Sequence, residues 1–375
     1  MDRKDHLCTT RPRPHAGLSD RSFDRILLIK PSSLGDIIHA LPVLHGLRAR
    51  FPSARIDWLI ASSFAPLLSG HPDLDELILF DRRRFGRVGT SLSVTKQFIE
   101  FVSALRRRRY EMVIDLQGLF RTGFLAWAGG APVRIGLHNA REGARFFYTH
   151  KTPRAPENTH AVDRNYQVAQ LLGFEHVPIR FDLNVTDDLR AEARALLRCA
   201  GHEAKDRLVA VVPGARWETK MWASDRFAET MNELQSGGDL RCVLLGSPDE
   251  AALCERIFHG CRLRPINLAG KTTLGQMAAV IELADVVLCH DSAPMHLAVA
   301  LQRPLVCLIG PTNPDRTGPY RRSHDVVRLD LECAPCYLRR MSQCQFDHQC
   351  MTDLEVSTVV SAVRQALRQP AVAAR

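Results

Sequence analysis

The chain has 375 residues, more than one typical core can serve, so two domains are expected. Its composition, 45% hydrophobic and 24% charged, is that of a globular protein, and no apolar run is long enough to span a bilayer. The formal charge of +9 lies wholly in residues 1–185, which hold 27 Lys and Arg against 18 Asp and Glu; residues 186–375 hold 23 of each. A basic half beside a neutral half points to an anionic partner for the first half: nucleic acid, an acidic membrane surface or an acidic substrate. A solvated basic surface with no partner is the plain alternative.

Residues 1–22 are charged, contain two Arg-Pro pairs and lack the apolar centre of a secretory signal. They predict a disordered basic tail on a cytosolic protein. Arg25–Lys30 reads as a first buried strand, followed by a Gly35-Asp36 turn and a single apolar helix, 37–51, with Pro42 in its first turns. Strands are expected at 55–60 and 77–80, with a short helix at 64–69 between them. Residues 81–93, with Arg82, Arg83, Arg84 and Arg87 and no apolar periodicity, read as a mobile basic loop. A helix ending in Arg106–Arg109, a strand at 112–116, a helix after Gly118 carrying Arg121, and a strand at 132–136 follow. The stretch 138–156 is irregular and includes Arg141; a helix is expected over 159–172. This alternation predicts a doubly wound parallel sheet over 23–185, with 184–189 as linker.

The same alternation restarts in 186–375, with a helix over 191–200. The strand 208–212 ends in PGARWETK, a loop holding Arg216, Trp217 and Lys220. The strand 241–245 ends in GSPDE, with Asp249 and Glu250. A βαβ unit at 286–314 has strands at 286–289 and 305–309, and a helix beginning near Ala293 with Asp291 and Ser292 as N-cap candidates. Such a helix start offers free N–H groups and a positive dipole end, which suits a phosphate. An ordinary crossover without ligand reads the same way.

Two Rossmann-like halves enclose a cleft, and ligands of such sheets bind beyond the carboxyl ends of the strands. Asp36, Lys220 and Asp291–His296 all fall there. Asp36 suits a general base, or merely a helix cap. Lys220 suits a departing phosphate, or is a solvated lysine. There is no G-x-G-x-x-G after a strand, no P-loop and no H-E-x-x-H, which weighs against a dinucleotide oxidoreductase, a P-loop kinase and a zincin.

Seven motifs, in this order and spacing, resemble the ADP-heptose:lipopolysaccharide heptosyltransferases of glycosyltransferase family 9. They are KPSSLGDIIHALPVL (30–44), VIDLQGLFRTG (113–123), REGARFFYTH (141–150), HAVDRN (160–165), PGARWETKMW (213–222), DSAPMHLAVAL (291–301) and GPTNPDRTGPY (310–320). The third and fourth point to the type I members. The resemblance covers nearly all of the chain beyond the tail.

The resemblance implies an α/β fold of GT-B type and an inverting, metal-independent glycosyltransferase of lipopolysaccharide core biosynthesis. It would move heptose from ADP-heptose to Kdo on lipid A, at the inner face of the cytoplasmic membrane, and need no cofactor. By position, it makes Asp36 the base and Lys220 the partner of the donor phosphates. Arg216, Asp249, Glu250, Asp291, Ser292, Ala293, Pro294, Met295 and His296 fall on the donor side, with Asp249 or Glu250 toward the ribose. Ser33, Gly35, Arg82, Arg83, Arg84, Arg87, Arg121 and Arg141 fall on the acceptor side, in agreement with the charge excess of that half. Ala293 stands where the family often has Gly, and keeps the N–H a phosphate needs. Ala215 stands where some members have a hydroxyl.

The best-known members lack the segment 333–350, with Cys333, Cys336, Cys344 and Cys350. Only its first pair has the usual zinc-ligand spacing, so a structural zinc, free thiols or a disulfide remain open there. The other seven of the eleven cysteines read as reduced core residues. A peripheral membrane contact and a monomer are expected. A family 9 transferase with another acceptor, a later core heptose or a protein, is the near alternative; a nucleotide-sugar epimerase is a more distant one. Nucleic-acid binding is disfavoured, since no interleaving of aromatic and basic residues appears.

Overall fold

The computed structural model describes residues 17–203 and 205–368. Two six-stranded parallel sheets organise them. The first has β1 (Arg25–Ile29), β2 (Arg55–Ala61), β3 (Glu76–Phe80), β4 (Met112–Asp115), β5 (Val133–Gly136) and β6 (His150–Lys151), in the order 3-2-1-4-5-6. The second has β7 (Arg207–Val212), β8 (Leu240–Leu244), β9 (Ile266–Asn267), β10 (Val286–His290), β11 (Leu305–Leu308) and β12 (Val326–Val327), in the order 12-11-10-7-8-9. Counted from its own first strand, the second sheet repeats the first. In this doubly wound order the chain reverses direction across the sheet between β1 and β4, and again between β7 and β10, leaving a crevice at each reversal. The central strands read as continuous apolar runs because helices cover both faces: β10 is buried at every position.

Several local expectations are corrected. The expected single helix over 37–51 is two, Leu34–Ile38 and Leu41–Arg50, because Pro42 has no N–H to continue the first and instead sits in the opening turn of the second. The expected helix over 159–172 is likewise two, Ala161–Tyr166 and Val168–Leu172. Residues 81–93 are not a featureless loop. Asp81 accepts a hydrogen bond from the Arg84 N–H at 2.9 Å and caps a short Arg82–Phe85 helix, whose Phe85 packs on Phe80, Phe98 and Phe101. The helix expected from 191 begins at Asp187, inside the expected linker, with Thr186 as its cap and Asp187 and Asp188 in its first turn. Residues 1–16 of the expected tail lie outside the described residues. Residues 17–22 are not part of a tail: Leu18–Asp20 form a 3-10 turn, Leu18 is buried, and Arg50 donates to the Ser19 carbonyl at 2.7 Å.

One apolar core crosses from half to half. Ile37, Ile38 and Leu41 belong to the same buried cluster as Met295, Leu297 and Ala298, because the Leu34–Ile38 helix packs against the Ala293–Ala300 helix. The approach is close at Gly35, where a β-carbon would lie 2.5 Å from the His296 ring. A bare backbone is therefore required there. No helix among the described residues is long and apolar enough to cross a membrane.

Candidate active site

The two crevices face each other, and the predicted residues collect at them. In the first half, β1 runs into Lys30, and Ser33 caps the helix that carries Asp36. Asp36 is not itself the cap. It is the third helical residue of a capping box, accepting from the Ser33 N–H at 3.0 Å and the Ser33 hydroxyl at 2.7 Å. Lys30 Nζ lies 3.7 Å from its other oxygen, and 44% of the Asp36 side chain remains exposed. Desolvation pushes this carboxyl up, but Lys30 and the two Ser33 hydrogen bonds outweigh it and hold it below the usual carboxylate range. Asp36 is thus an ionised carboxylate open to the cleft. Lys30 is itself buried, donating to the Leu116 carbonyl at 2.7 Å, and burial draws its ammonium below the ordinary lysine range.

In the second half, the β7 loop and the end of β10 meet. Lys220 Nζ donates to Asp291 Oδ2 at 2.7 Å and to the Asp291 carbonyl at 3.1 Å, while the Thr312 hydroxyl donates to the same carboxylate at 2.6 Å. Lys220 is therefore aimed at the helix start by a buried ion pair. Trp217 lies between two cations, with Lys220 at 4.5 Å and Arg339 at 4.8 Å from its ring centre. Ser292 caps the Ala293–Ala300 helix, yet its hydroxyl is buried and has no hydrogen-bond partner. A buried hydroxyl at the positive end of a helix is suited to an anionic oxygen.

Between the halves stand three histidines. His39 Nε2 and His296 Nδ1 are 3.0 Å apart, and the His160 ring lies edge-on to His39 at 5.4 Å. Burial pulls His39 well below its ordinary range and His296 down to about 4, so both are neutral at pH 7. His39 Nδ1 has no partner. A bare lone pair there is tolerated better than a bare N–H, so His39 donates from Nε2 and His296 keeps its proton on Nε2, next to Gly35. The Leu34–Ile38 helix that carries Asp36 meets the His296 ring at Gly35, and both Asp291 and Asp36 act to raise the His296 pKa.

The remaining predicted residues divide. Glu250 lies at the site: one oxygen caps Ser247, and the other covers Gly214 so closely that a β-carbon there would come within 1.9 Å. Asp249 is exposed and has no partner among the described residues. Arg216 is exposed at the end of β7. Pro294 is buried in the first turn of its helix, and Met295 turns into the core, its sulfur 3.1 Å from Cys307 Sγ, so its side chain is structural. Arg82, Arg83, Arg84 and Arg87 follow β3, Arg121 follows β4 and Arg141 follows β5, all exposed beyond the carboxyl edge that carries Asp36. Lys30, His39, His160, Thr312 and Arg164 were not singled out by sequence reasoning, although all except Thr312 lie in the first and fourth motifs quoted above, and Thr312 lies in the last.

The cysteine segment is a buttress. Tyr337 N–H donates to the Pro311 carbonyl at 2.8 Å, Thr219 Oγ1 to the Leu338 carbonyl at 2.6 Å, and the His348 ring to the Thr219 carbonyl at 2.6 Å. It thereby braces the Lys220 loop. The thiols of Cys333, Cys336, Cys344 and Cys350 are all free. Among the described residues, the one set of three or more metal-ligating atoms within 4.8 Å of one another is His45, Asp73 and Asp182, while Cys333, Cys336 and Cys344 all lie near enough to Cys350 to push its thiol up.

Two Rossmann-like domains joined along their crevices, with an ionised carboxylate on one side and a phosphate-suited helix start on the other, define a glycosyltransferase of the GT-B class. The model of Glycosyltransferase family 9 (heptosyltransferase) matches residues 98–347, and the chain belongs to that family. Lipopolysaccharide heptosyltransferase 1 of Pseudomonas aeruginosa is 31% identical over 316 residues, spanning 83% of this chain and 86% of the relative. Lipopolysaccharide heptosyltransferase 3 of Escherichia coli K12 is 30% identical over 284 residues, spanning 74% and 80%. Among solved structures, the family 9 glycosyl transferase of Veillonella parvula superposes with a TM-score of 0.79 at 25% identity, over 92% of this chain and 97% of that one. E. coli ADP-heptose lps heptosyltransferase II gives 0.73, also at 25% identity, over 92% and 98%.

Proposed function

We propose that the chain transfers heptose from ADP-heptose to the Kdo of lipid A in lipopolysaccharide core synthesis, with inversion at the anomeric carbon. The observation that carries this reading is the packing of the Asp36 helix against the helix that starts at Ser292, beside the Lys220–Asp291 pair. In this mechanism Asp36 takes the proton of the acceptor hydroxyl as its oxygen bonds to the anomeric carbon. The bond from that carbon to the phosphate oxygen breaks on the opposite face, and ADP departs with the electron pair. Developing charge on the leaving diphosphate meets Lys220, the Ser292 hydroxyl and the N–H of Ala293 at the positive end of its helix. Glu250, over Gly214, is the carboxylate for the ribose.

The names of the relatives support both the donor and the lipopolysaccharide acceptor. We further infer a cytoplasmic protein that touches an anionic membrane leaflet with its first half. Leu92, Ile99, Phe120, Trp127 and Phe146 are exposed on that half, beside Arg82, Arg83, Arg84, Arg87 and Arg121. Apolar side chains rimmed by arginine fit a lipid headgroup layer.

The test is ADP release from ADP-heptose with and without Kdo-bearing lipid A, with the lipid mass followed in parallel. Acceptor-dependent ADP and one added heptose are expected; ADP release indifferent to acceptor would refute the reading. Asp36→Asn should lose about 10²–10⁴-fold in turnover while still binding ADP. Retained turnover would remove Asp36 as base.

A further inference from the structure

The run Arg106–Arg109 closes the Leu92–Arg107 helix, and the proposed reaction uses none of it. It lies at the amino ends of β4 and β5, the edge of the first sheet opposite Asp36. Arg108 is built into the frame. Its guanidinium donates to Glu76 at 2.6 Å and to Asp57 at 3.3 Å, and its carbonyl accepts from the Arg25 side chain at 2.9 Å. The Tyr110 hydroxyl donates to Asp57 at 2.6 Å, and Glu111 accepts from the Asp24 N–H at 2.8 Å. These bonds fix the segment and occupy the carboxylates around it. The other three arginines are left over. Arg106, Arg107 and Arg109 are exposed, and none of their guanidinium groups has a hydrogen bond, ion pair or ring contact among the described residues.

All three line a cavity of about 740 Å³, together with Ser103, Tyr110 and the Gly129–Gly130 turn. The Arg106 side chain runs along that turn: a β-carbon on Gly130 would lie 3.5 Å from its Nε. Three like charges around one hollow repel one another, and an anion seated in it offsets that. Guanidinium forks match the oxygens of a phosphate. The rim of the hollow is apolar. Ile99, one turn before Ser103, is 59% exposed; Trp127, whose carbonyl accepts from the Gly130 N–H at 3.0 Å, is 54% exposed. Leu92, Lys96, Ile99, Ser103 and Arg106 recur at helical spacing, so one stripe of the helix carries apolar and basic side chains and no acid.

We infer that the hollow lined by Arg106, Arg107 and Arg109 is a phosphate site that takes the headgroup of an anionic membrane lipid. A soluble phosphate presents the same oxygens, but exposed Ile99 and Trp127 beside the cations serve a ligand that sits in a bilayer. Arg82–Arg87 precede this 16-residue helix and Arg106–Arg109 close it, about 24 Å apart along its axis. With both ends on the leaflet, the helix lies along the membrane. The site is separate from the catalytic crevice and governs how the protein sits, not how it reacts. The lipid as the source of the phosphate rests on the membrane contact proposed above; the anion site rests on the cavity and its unpaired cations.

The experiment is co-sedimentation of the intact protein with vesicles of phosphatidylcholine alone or mixed equally with phosphatidylglycerol. Wild type should prefer the mixed vesicles. Arg106→Gln/Arg107→Gln/Arg109→Gln should bind them about 100-fold more weakly, since each arginine near an anionic surface is worth about fivefold. Arg194→Gln/Arg198→Gln/Arg262→Gln removes the same charge from exposed positions of the second half and should lose less than about threefold. Equal losses in the two variants would mean net charge alone and overturn the site. The triple lysine counterpart should regain about tenfold over the glutamine variant. One as weak as the glutamine variant would trace the loss to the fold and also refute it. Brominated phosphatidylcholine in the mixed vesicles should quench the tryptophan emission of wild type more than that of Trp127→Phe; equal quenching takes the lipid away from the rim and sinks the inference. Inorganic phosphate is the soluble arm: calorimetric binding that needs Arg106, without preference for the mixed vesicles, means a free anion and rules out the lipid. If the triple glutamine variant binds like wild type while Arg82→Gln/Arg83→Gln/Arg84→Gln does not, the site is refuted and the membrane contact stands. Wild type that binds neither vesicle refutes both. ADP release with detergent-dispersed Kdo-bearing lipid A should be the same in the triple glutamine variant as in wild type, and a loss there would move these arginines into catalysis and overturn the reading. The expected vesicle binding from a protein that transfers no heptose keeps the site and refutes the reaction.

Discussion

Removing the carboxylate of Asp291 tests how the donor side is assembled. Asp291 is 6% exposed and Lys220 14%, so water cannot replace the lost partner fully. Asp291→Ala strands the Lys220 ammonium and the Thr312 hydroxyl together, both of which donate to Oδ2. Breaking one side of a buried pair costs about 3–5 kcal/mol, and Lys220 keeps its second bond to the residue 291 carbonyl, so the lower end applies. At roughly 2–4 °C per kcal/mol for a domain of this size, the melting temperature should fall by about 6–12 °C. ADP should recover part of the deficit, because its phosphates supply the missing counter-charge. The double variant Asp291→Ala with Lys220→Met should be more stable than Asp291→Ala alone, since no buried charge is left unpaired. Differential scanning fluorimetry with and without ADP measures all three. A double variant destabilised by the sum of the two single effects would refute the argument.

Other outcomes follow from the domain junction and the donor loop. The unfolded chain binds a proton on His296 below pH 6.5 that the folded chain refuses until about pH 4, so unfolding free energy should fall as pH drops through that window. The loss should approach about 3 kcal/mol at pH 4, with His39 adding to it, and Asp36 contributing only below the ordinary carboxylate range. Urea titrations at pH 7, 5.5 and 4.5 measure it; a flat profile, or one unchanged by His296→Asn, would contradict the assignment. Gly35→Ala puts a methyl 2.5 Å from the His296 ring, which the His39 hydrogen bond holds in place. An overpacking cost of about 1–3 kcal/mol should exceed the roughly 1 kcal/mol that alanine gains in a helix. The shifted helix should cut kcat about tenfold, and a variant that melts and turns over like wild type sinks the prediction. Gly214→Ala must displace the Glu250 carboxylate, so ADP affinity should drop several-fold, as it should for Glu250→Ala. Unchanged calorimetric affinity in both would remove Glu250 from the ribose site.

Much of this architecture is determined within short windows of sequence. The runs ILLI, LVAVV and VVLC are apolar at every position because both of their faces are covered, so their strands could be assigned from composition alone. Alternation of strand and helix then predicts a doubly wound sheet, and such a sheet sends the residues after β1, β7 and β10 to its crevice. That is why Asp36, Lys220 and the Asp291 helix start could be picked out before any coordinates. Local chemistry was misread where two signals competed, as at Pro42, which starts a helix although the apolar pattern runs straight through it. Tertiary structure alone decided which side chains meet. His39 and His296 are 257 residues apart and touch only because two helices pack across the junction, and Lys220 reaches Asp291 across 71. Met295 and His296 are adjacent, yet one packs on Cys307 and the other on His39 at the junction of the two halves, since each residue turns about 100° along a helix.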